Sequence, residues 1–512
     1  MFIGTWWSIV PPLLAITLAL ITKEVYVSLF AGVLLGALFV AGFQPWETFD
    51  TLFTTMANSI DLNITIFLVL LGMVVALMTK SGGSKAYGDW ASQRIKTKRG
   101  ALLATTGLGC LIFVDDYFNC LTVGSVMRPV TDKNKISRAK LAYIIDSTAA
   151  PVCIIAPISS WAAAVNSYVP EDSSMSGFQL FINTIPFNLY ALLTISAVVF
   201  LAVTGIDFGK MKIHERNAAK GDLFTSGRDD IETSESKPQN LSAKGRVIDL
   251  VLPVLVLIVS AVGAMIYTGF LSGATNVIDA FANCNSSKSL IFGGIVTVIF
   301  MGFLYLPRRV LRFGNFMSSL VEGFKLMVPA ITILVFAWTL KGMGDQLAIS
   351  DFVKTTVGDN ASASVFIPVI MFAIAIFLGF STGTSWGTFA ILVPIVIGMF
   401  ASTDQTMMVI SVSAVLAGAV CGDHISPISD TTIMSSAGAQ CNHINHVSTQ
   451  IQYAMVVAVV SAIGYVIAGI TKSWIVSLLV CAVLLVAALL VINYFSKKKN
   501  AEAEASPRKR RS

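Results

Sequence analysis

Long apolar stretches recur along almost the whole of this chain. Only 12% of its 512 residues are charged, about half the usual share, which excludes an ordinary cytosolic enzyme. Apolar runs of this kind and number are typical of helices that cross a bilayer. The sequence therefore predicts an all-α polytopic membrane protein. Nine spans are read directly, at residues 5–22, 25–43, 63–78, 186–205, 247–270, 290–306, 327–340, 451–470 and 474–494.

Four further apolar regions are interrupted by Gly, Pro, Asp, Asn, Ser and Thr: residues 101–129, 140–165, 366–399 and 407–437. Unpaired backbone cannot face lipid, so a broken helix survives only where protein or a water-filled cavity satisfies its free N–H and C=O groups. Transporters place their binding sites at such breaks. We predict a re-entrant hairpin and then a broken helix in each half of the chain.

The order of these features is the same in both halves, which predicts two repeats. If each repeat has three spans, a hairpin, a broken span and one more span, it crosses the membrane five times, and an odd count inverts the second repeat. One extra C-terminal span brings the total to about 11 crossings. The predicted units are a first repeat at 1–205, a charged cytoplasmic linker at 206–246, a second repeat at 247–470, the extra span at 471–496 and a basic cytoplasmic tail at 497–512.

The distribution of basic residues fits this topology. With the N-terminus outside, four of the 35 Lys and Arg residues fall on the outer side, namely Lys288, Lys341, Lys354 and Lys472, and the rest lie in the predicted cytoplasmic segments. Lys and Arg collect on the cytoplasmic side of membrane proteins. We therefore predict a multi-pass protein with its C-terminus in the cytoplasm and with no Lys or Arg deep in the bilayer.

Five acidic residues lie within the interrupted regions: Asp115, Asp116, Asp146, Asp423 and Asp430. An ionised carboxylate in hydrocarbon is costly and needs a partner, a proton or a cavity. Because no Lys or Arg is embedded beside them, the remaining counter-charges are a bound cation or a proton. This pattern predicts cation transport. Any single one of these Asp residues could instead cap a half-helix, or be protonated and hydrogen-bonded to the backbone.

The first half holds two clusters of oxygen-bearing side chains. Asp115, Asp116 and Asn119 lie near the tip of the predicted hairpin, where adjacent carboxylates repel each other and can exchange a proton for a cation. The alternative is a polar tip that only turns the chain. In the broken helix, Asp146, Ser147 and Thr148 precede two prolines whose missing N–H groups leave carbonyls free for a ligand.

The second half has a denser cluster. Asp423, Ser426, Asp430 and Thr431 surround one proline, while His424 either titrates near neutrality or serves as a neutral hydrogen-bonding core residue. The hairpin before it offers uncharged hydroxyls, among them Thr384 and Ser385. Such hydroxyls also occur where helices pack closely. The remaining pair, His443 and His446, is expected in a solvated loop and receives no role.

Three motifs together resemble the NhaC-type Na⁺/H⁺ antiporter family: Asp-Asp-Tyr-Phe-Asn at 115–119, Gly-Thr-Ser-Trp-Gly-Thr at 383–388 and Gly-Asp-His-Ile-Ser-Pro-Ile-Ser-Asp-Thr-Thr at 422–432. The resemblance spans roughly residues 1–470, and the third motif is the most specific. It implies an ion-transporter fold of two inverted repeats, secondary sodium/proton exchange and a prokaryotic plasma membrane. Some relatives exchange organic acids or amino acids, so the family alone does not fix the solute.

The leading hypothesis is exchange of Na⁺ for H⁺ by alternating access, with both ions competing for intramembrane carboxylates. The expected partners are Na⁺, H⁺ and the lipid bilayer, without a cofactor, enzymatic activity or nucleic acid; a homo-oligomer is left open. The candidate ion- and proton-binding residues are Asp115, Asp116, Asn119, Asp146, Ser147, Thr148, Thr384, Ser385, Asp423, His424, Ser426, Asp430 and Thr431.

Two other functions compete with this hypothesis. The first is a Na⁺- or H⁺-coupled transporter or exchanger of amino acids or small carboxylates of the malate or lactate type, whose substrate carboxylate would bind at half-helix N-termini. The second is a membrane enzyme that holds Mg²⁺ on a diphosphate through Asp115 and Asp116. Such an enzyme needs basic residues at the phosphate and a second acidic motif of similar spacing, and the sequence has neither.

Overall fold

The computed structural model describes residues 2–22, 24–169, 175–225, 242–277, 280, 284–349, 364–400 and 403–505. All regular secondary structure in these ranges is helical, which confirms the predicted all-α fold. Part of the predicted linker (226–241), part of the tail (506–512) and Lys354 lie outside the described residues.

Each of the nine predicted spans falls on a helix. Among the described residues, seven helices are long and apolar enough to cross a membrane, or eight if the bent helix Phe313–Gln346 is included. The number of crossings stays a prediction. Outside the interrupted regions the α-helices are Val10–Thr22, Val25–Val40, Pro45–Ser59, Leu62–Ser81, Gly83–Arg94, Gly177–Thr184, Leu189–Thr204, Gly209–Ala219, Ile248–Leu271, Ser286–Tyr305, Phe313–Gln346, His443–Thr471 and Trp474–Ala505.

The four interrupted regions form two pairs of helices and two broken helices. Pair 1 consists of Lys98–Leu111 and Asp116–Lys133, and pair 2 of Ile367–Thr382 and Ser385–Phe400. Broken helix 1 consists of Arg138–Thr148, Ala150–Cys153 and Ser160–Asn166, and broken helix 2 of Gln405–Ile425 and Asp430–Ala439. The order of a pair followed by a broken helix therefore recurs, while the inverted relation of the halves stays a prediction.

The breaks are satisfied by protein groups. In broken helix 1, the Ser159 hydroxyl donates to the carbonyls of Cys153 (2.8 Å) and Ala156 (3.0 Å). Pair 2 turns at Gly383, whose φ of +67° is a left-handed conformation, and a Cβ there would lie 2.6 Å from the Ile428 carbonyl oxygen. Glycine is required at such a close approach of two backbones. The turn of pair 2 thus packs directly on the break of broken helix 2.

Both broken helices lie in the protein interior. Every residue of Arg138–Thr148 is buried, and so is every residue from Met407 to Ile425. Pair 1 approaches broken helix 2 so closely that a Cβ on Gly124 would lie 2.4 Å from the carbonyl carbon of Gly438. Small residues at helix contacts allow this kind of backbone packing in membranes. Most of the interrupted backbone is therefore enclosed by protein, while Pro427 and Ile428 at the break of broken helix 2 are exposed.

The segment predicted as a solvated linker is partly folded against the bundle. Helix Gly209–Ala219 buries Glu215, which accepts hydrogen bonds from the Ser137 N–H (2.9 Å) and hydroxyl (2.6 Å) and pairs with Lys98. The expectation of a solvated extension is wrong for this helix because Glu215 satisfies the first turn of broken helix 1. Lys140 is also buried there, 2.6 Å from Asp207, whose carboxylate compensates its charge.

Candidate functional site

The carboxylate of Asp146 lies at the contact between the two broken helices and helix His443–Thr471. Its Oδ2 atom accepts hydrogen bonds from Thr432 Oγ1 at 3.1 Å, His446 Nε2 at 3.2 Å and Gln450 Nε2 at 2.5 Å. Asp146 is fully buried, and its Oδ1 atom has no hydrogen-bond partner among the described residues. One oxygen of this carboxylate is thus surrounded by donors, and the other is open.

His424 joins the two breaks through its ring. Its Nε2 atom lies 2.8 Å from the backbone carbonyl of Asp146 and 3.8 Å from Oδ1 of the same residue, and its Nδ1 atom lies 3.1 Å from the Tyr190 hydroxyl. A carbonyl can only accept, so Nε2 carries a proton. In the neutral ring Nδ1 then accepts from Tyr190. His424 is therefore both a buried hydrogen-bonding residue and a neighbour of a buried carboxylate.

Asp423 lies one residue before His424, near the end of helix Gln405–Ile425. Its Oδ2 atom accepts from Ser385 Oγ at 2.9 Å and from Thr431 Oγ1 at 3.0 Å, which brings pair 2 and both parts of broken helix 2 to one carboxylate. Its Oδ1 atom has no hydrogen-bond partner in the part of the chain that the structure describes. The structure thus brings Asp423 together with Thr431 of its own predicted cluster and with Ser385 of pair 2.

Asp430 begins the second part of broken helix 2 and faces pair 1. The Tyr117 hydroxyl donates to its Oδ2 atom at 2.6 Å, and the backbone N–H of Thr431 donates to Oδ1 at 2.9 Å. A carboxylate in the first turn of a helix is favoured by the helix dipole. Both oxygens of Asp430 therefore have a donor, whereas both oxygens of Asp116 and Oδ1 of Asp423 have none among the described residues.

Asp116 is the first residue of helix Asp116–Lys133 and is fully buried. Neither of its carboxylate oxygens accepts a hydrogen bond from another described residue. The carboxylate interacts with the backbone N–H of Asp116 itself. It interacts electrostatically with Asp115, Asp430 and Asp423, all of like charge when ionised. Buried carboxylates so close to one another cannot all stay ionised without added positive charge.

The side chain of Asn119 bridges pair 1 and broken helix 1. Its Nδ2 atom donates to three carbonyls, those of Gly109 at 2.7 Å, Ile112 at 2.9 Å and Thr148 at 3.0 Å. Carbonyls only accept, so this contact fixes the orientation of the amide. The Oδ1 atom is left buried and without a hydrogen-bond partner in the described residues. Asn119 thus holds the break in place and presents one free oxygen.

The remaining candidates lie at the breaks without touching these carboxylates through a described hydrogen bond. Ser147 and Thr148 end the first part of broken helix 1, where the Thr148 hydroxyl donates to the Ile144 carbonyl at 2.8 Å. Thr384 stands at the turn of pair 2, and its carbonyl accepts from the Thr388 hydroxyl at 2.9 Å. Ser426 donates to the Phe380 carbonyl at 2.7 Å. Their described contacts are with the backbone.

Fixed positive charge is scarce around the site. In the described residues, the ion pairs of Lys and Arg involve acidic residues other than Asp116, Asp146, Asp423 and Asp430. Within the described part of the chain, the basic groups paired with these four carboxylates are the imidazoles of His424 and His446, both at Asp146. No group of three or more His, Cys, Asp or Glu residues in the described ranges has the arrangement of a metal site.

Sequence reasoning missed two residues of this site. His446, expected in a solvated loop, is fully buried, because the Asp146 carboxylate accepts its Nε2–H group and so compensates its desolvation. Gln450 donates to both Asp146 Oδ2 and the His424 carbonyl, the latter at 2.6 Å. The available signal was their spacing of four residues, which places both on one face of a helix.

Comparison with known proteins gives three similarities. A family model described as the Na⁺/H⁺ antiporter family matches residues 162–470. An uncharacterized protein of Haemophilus influenzae is 40% identical over 517 residues, covering 97% of this chain and 96% of that protein. An uncharacterized Na⁺/H⁺ antiporter of the same organism is 26% identical over 183 residues, or 34% of this chain and 37% of that protein.

Among solved structures, the Alcanivorax borkumensis YdaH transporter aligns with 82% of this chain and 89% of its own chain, at 13% sequence identity and a TM-score of 0.46.

Proposed function

The chain belongs to the Na⁺/H⁺ antiporter family, and from this we propose that it exchanges Na⁺ for H⁺ across a prokaryotic plasma membrane. The protein is a multi-pass membrane protein. In the proposed orientation the N-terminus is outside and the C-terminus is cytoplasmic, in keeping with the bias of Lys and Arg toward one side. The transported ions are the ligands, and no cofactor is required.

The observation that supports this proposal most directly is a set of buried carboxylate oxygens without donors. Both oxygens of Asp116 and one oxygen of Asp423 are buried and have no hydrogen-bond partner among the described residues. A buried charge of this kind is tolerated only when a proton or a cation neutralises it. Exchange of one for the other at the same oxygens is the antiport reaction.

Coupling follows from the cost of moving charge through the membrane interior. With no ion bound, the ionised carboxylates would have to pass a low-dielectric barrier, which is unfavourable. Binding of either Na⁺ or H⁺ reduces the negative charge of the site and lowers that cost. Because the two ligands compete for the same state of the protein, each transition carries one or the other, and the fluxes are coupled.

The candidate residues divide into two chemical groups in this proposal. The carboxylates of Asp115, Asp116, Asp146, Asp423 and Asp430 carry the exchanged charge. Neutral oxygens come from Asn119, Ser147, Thr148, Thr384, Ser385, Ser426 and Thr431, and His424 joins the network around Asp146. Hard cations prefer oxygen ligands, and side-chain and backbone oxygens both serve.

Exchange is tested in everted membrane vesicles that carry a pH-sensitive dye. Respiration acidifies the lumen, and addition of NaCl to wild-type vesicles should restore the fluorescence, whereas vesicles without the protein should not respond. Choline chloride at equal ionic strength is the control for osmotic effects. The proposal would be overturned if the wild-type protein is present in the membrane and Na⁺ does not change the proton gradient at any pH tested.

The same assay tests the competing function of a coupled carrier of amino acids or small carboxylates. Dequenching that strictly requires malate, lactate or an amino acid in addition to Na⁺ would replace antiport with solute transport. Dequenching by Na⁺ alone supports the exchanger.

A further inference from the structure

Free oxygen lone pairs are unevenly distributed over the intramembrane site. A bare or partly dehydrated cation needs oxygens whose lone pairs do not already accept hydrogen bonds, and it is repelled by N–H and O–H hydrogens that point at the same oxygen. Asp430 has a donor on each oxygen, from Tyr117 and from the Thr431 backbone. Both oxygens of Asp430 therefore already accept hydrogen bonds, which makes this carboxylate a poor ligand for a cation.

Asp146 is also poorly suited to a cation. Three donors converge on its Oδ2 atom, and its Oδ1 atom lies 3.8 Å from Nε2 of His424, a nitrogen that carries a proton. A cation at Oδ1 would face the positive end of this N–H group. The surroundings of Asp146 thus favour the ionised carboxylate through donors, and the His424 Nε2–H group near Oδ1 disfavours a cation there.

Asp116 and Asn119 show the opposite arrangement. They are three residues apart in helix Asp116–Lys133, so their side chains are neighbours on one face. Both carboxylate oxygens of Asp116 and the Oδ1 atom of Asn119 are buried without a hydrogen-bond partner in the described residues. Three carbonyls hold the Asn119 amide so that it cannot turn its nitrogen toward Asp116. Asp116 and Asn119 therefore supply three buried acceptor atoms for which the described residues provide no hydrogen-bond donor.

Asp423 completes this arrangement from the other half of the chain. Its Oδ1 atom has no hydrogen-bond partner among the described residues, while Ser385 and Thr431 donate to its Oδ2 atom and so fix the carboxylate. Helix Asp116–Lys133 contacts the break beside Asp423, since its Cys120 Sγ atom lies 3.7 Å from the Thr431 carbonyl and its Tyr117 hydroxyl lies 2.6 Å from Asp430 Oδ2. Ionised Asp116 and Asp423 repel each other across this contact. One monovalent cation neutralises one of these two carboxylates and relieves their repulsion.

We propose that the sodium ion binds between Asp116, Asn119 and Asp423, and that Asp146 and Asp430 are not sodium ligands. This inference rests on the proposed function and assigns the cation to one part of the site. Asn119 selects for a cation because its fixed amide offers only an oxygen. Asp146 takes part in exchange without contacting sodium.

Binding of ²²Na⁺ to the purified full-length protein in a scintillation-proximity assay tests the assignment. Asp116→Asn, which keeps the shape and removes the charge, should weaken Na⁺ binding about tenfold or more. Asn119→Leu should weaken it by a similar factor, because it removes the neutral oxygen. Asp146→Asn should change the sodium affinity by less than about threefold, and Asn134→Leu, the same type of change just after the end of helix Asp116–Lys133, by less than about twofold.

The outcomes separate this inference from the proposed function. Equal weakening by Asp146→Asn and Asp116→Asn, or wild-type affinity in Asp116→Asn, would overturn the assignment even if exchange is intact. Because loss of three hydrogen bonds could unfold Asn119→Leu, the Asp116→Asn variant is decisive, with thermal unfolding as the check on folding. A wild-type protein without Na⁺-dependent proton movement in vesicles would overturn the proposed function instead.

Discussion

The Nε2 atom of His446 lies 3.2 Å from the Oδ2 atom of Asp146, although the two residues are 300 positions apart in the sequence. Thr432 and Gln450 donate to the same oxygen. A buried carboxylate with three donors on one oxygen is stabilised in its ionised form, because charge-assisted hydrogen bonds replace its hydration. The site therefore includes helix His443–Thr471, which follows both predicted hairpins and both broken helices in the sequence.

Replacement of Asp146 by Asn is expected to abolish exchange without preventing membrane insertion. Asp146→Asn keeps the size of the side chain and removes its charge, so we expect the initial rate of Na⁺-dependent dequenching to fall on the order of 100-fold. Asp423→Asn should have the same effect. Asp61→Asn, which keeps a helix cap outside the site, serves as the control. Wild-type turnover in both correctly inserted variants would remove Asp146 and Asp423 from the mechanism.

Gln450 is expected to contribute to stability through its two hydrogen bonds. Gln450→Leu leaves Asp146 Oδ2 and the His424 carbonyl without this donor, at a cost of about 1–3 kcal/mol of unfolding free energy. Gln452→Leu, two residues along the same helix, loses one contact to the Lys210 backbone N–H and should cost less than about 1 kcal/mol. Thermal unfolding in detergent, followed by tryptophan fluorescence, measures both; equal losses would contradict the prediction.

The contact between Gly124 and Gly438 is expected to tolerate no side chain. Gly124→Ala places a Cβ atom 2.4 Å from the Gly438 carbonyl carbon, and we expect a loss of about 1–3 kcal/mol from overpacking. Gly107→Ala is the matched control, since nothing lies within 4 Å of its Cβ position, and it should stabilise the helix by about 0.5–1 kcal/mol. Melting temperatures that shift equally in the two variants would show that the helices do not pack as described.

Helix Gly209–Ala219 is expected to stabilise the start of broken helix 1. Glu215→Ala removes the acceptor of the buried Ser137 N–H and hydroxyl, at a cost of about 1–3 kcal/mol. Glu322→Ala breaks an exposed pair with Lys80 and should cost less than about 1 kcal/mol. Protease cleavage within residues 209–225 should become faster only in Glu215→Ala, and unchanged cleavage there would argue against docking of this helix.

One ion pair outside the membrane-spanning helices gives a pH dependence. Burial alone would raise the pKa of Asp404, but its hydrogen bonds with Lys472 and the Met407 N–H outweigh this effect and lower the pKa below its ordinary value. The contribution to stability is therefore present above the unfolded pKa of about 3.9 and is lost as the pH falls through the lower folded pKa.

Asp404→Asn tests this sign. The substitution keeps the helix cap and removes the charge. At neutral pH its free energy of unfolding should therefore be lower than that of the wild type, by less than about 1 kcal/mol because the pair is partly exposed. The difference should vanish when the pH is lowered below the folded pKa. If the difference in unfolding free energy between the variant and the wild type grew as the pH fell, the pKa of Asp404 would not be lowered by folding.

Much of the fold follows from local properties of the sequence. Hydropathy places every predicted span on a helix, and the interruptions at Pro427 and Gly383 mark breaks that the structure contains. The grouping of Asp423 with Thr431 was also accessible, because the two residues are close in the sequence. Each of these inferences depends on the bilayer. Charged and irregular segments are unfavourable in hydrocarbon, so they are easily recognised within apolar stretches of the sequence.

Contacts across the chain could not be predicted in the same way. His446 and Gln450 belong to a polar segment that precedes an apolar helix, a pattern that fits a solvated loop equally well. Their role depends on the approach of Asp146 from the other half of the chain. The fold of helix Gly209–Ala219 was missed for a related reason, since its charged composition does not reveal that Ser137 supplies a buried partner for Glu215.

The bridging amide of Gln450 has a consequence for the transport cycle. It ties the side chain of Asp146 in broken helix 1 to the main chain at His424 in broken helix 2. Separation of the two interruptions would break at least one of these bonds and also the contact between His424 and the Asp146 carbonyl. In the proposed transport cycle, we therefore expect both interruptions to move together, with the moving boundary elsewhere in the bundle.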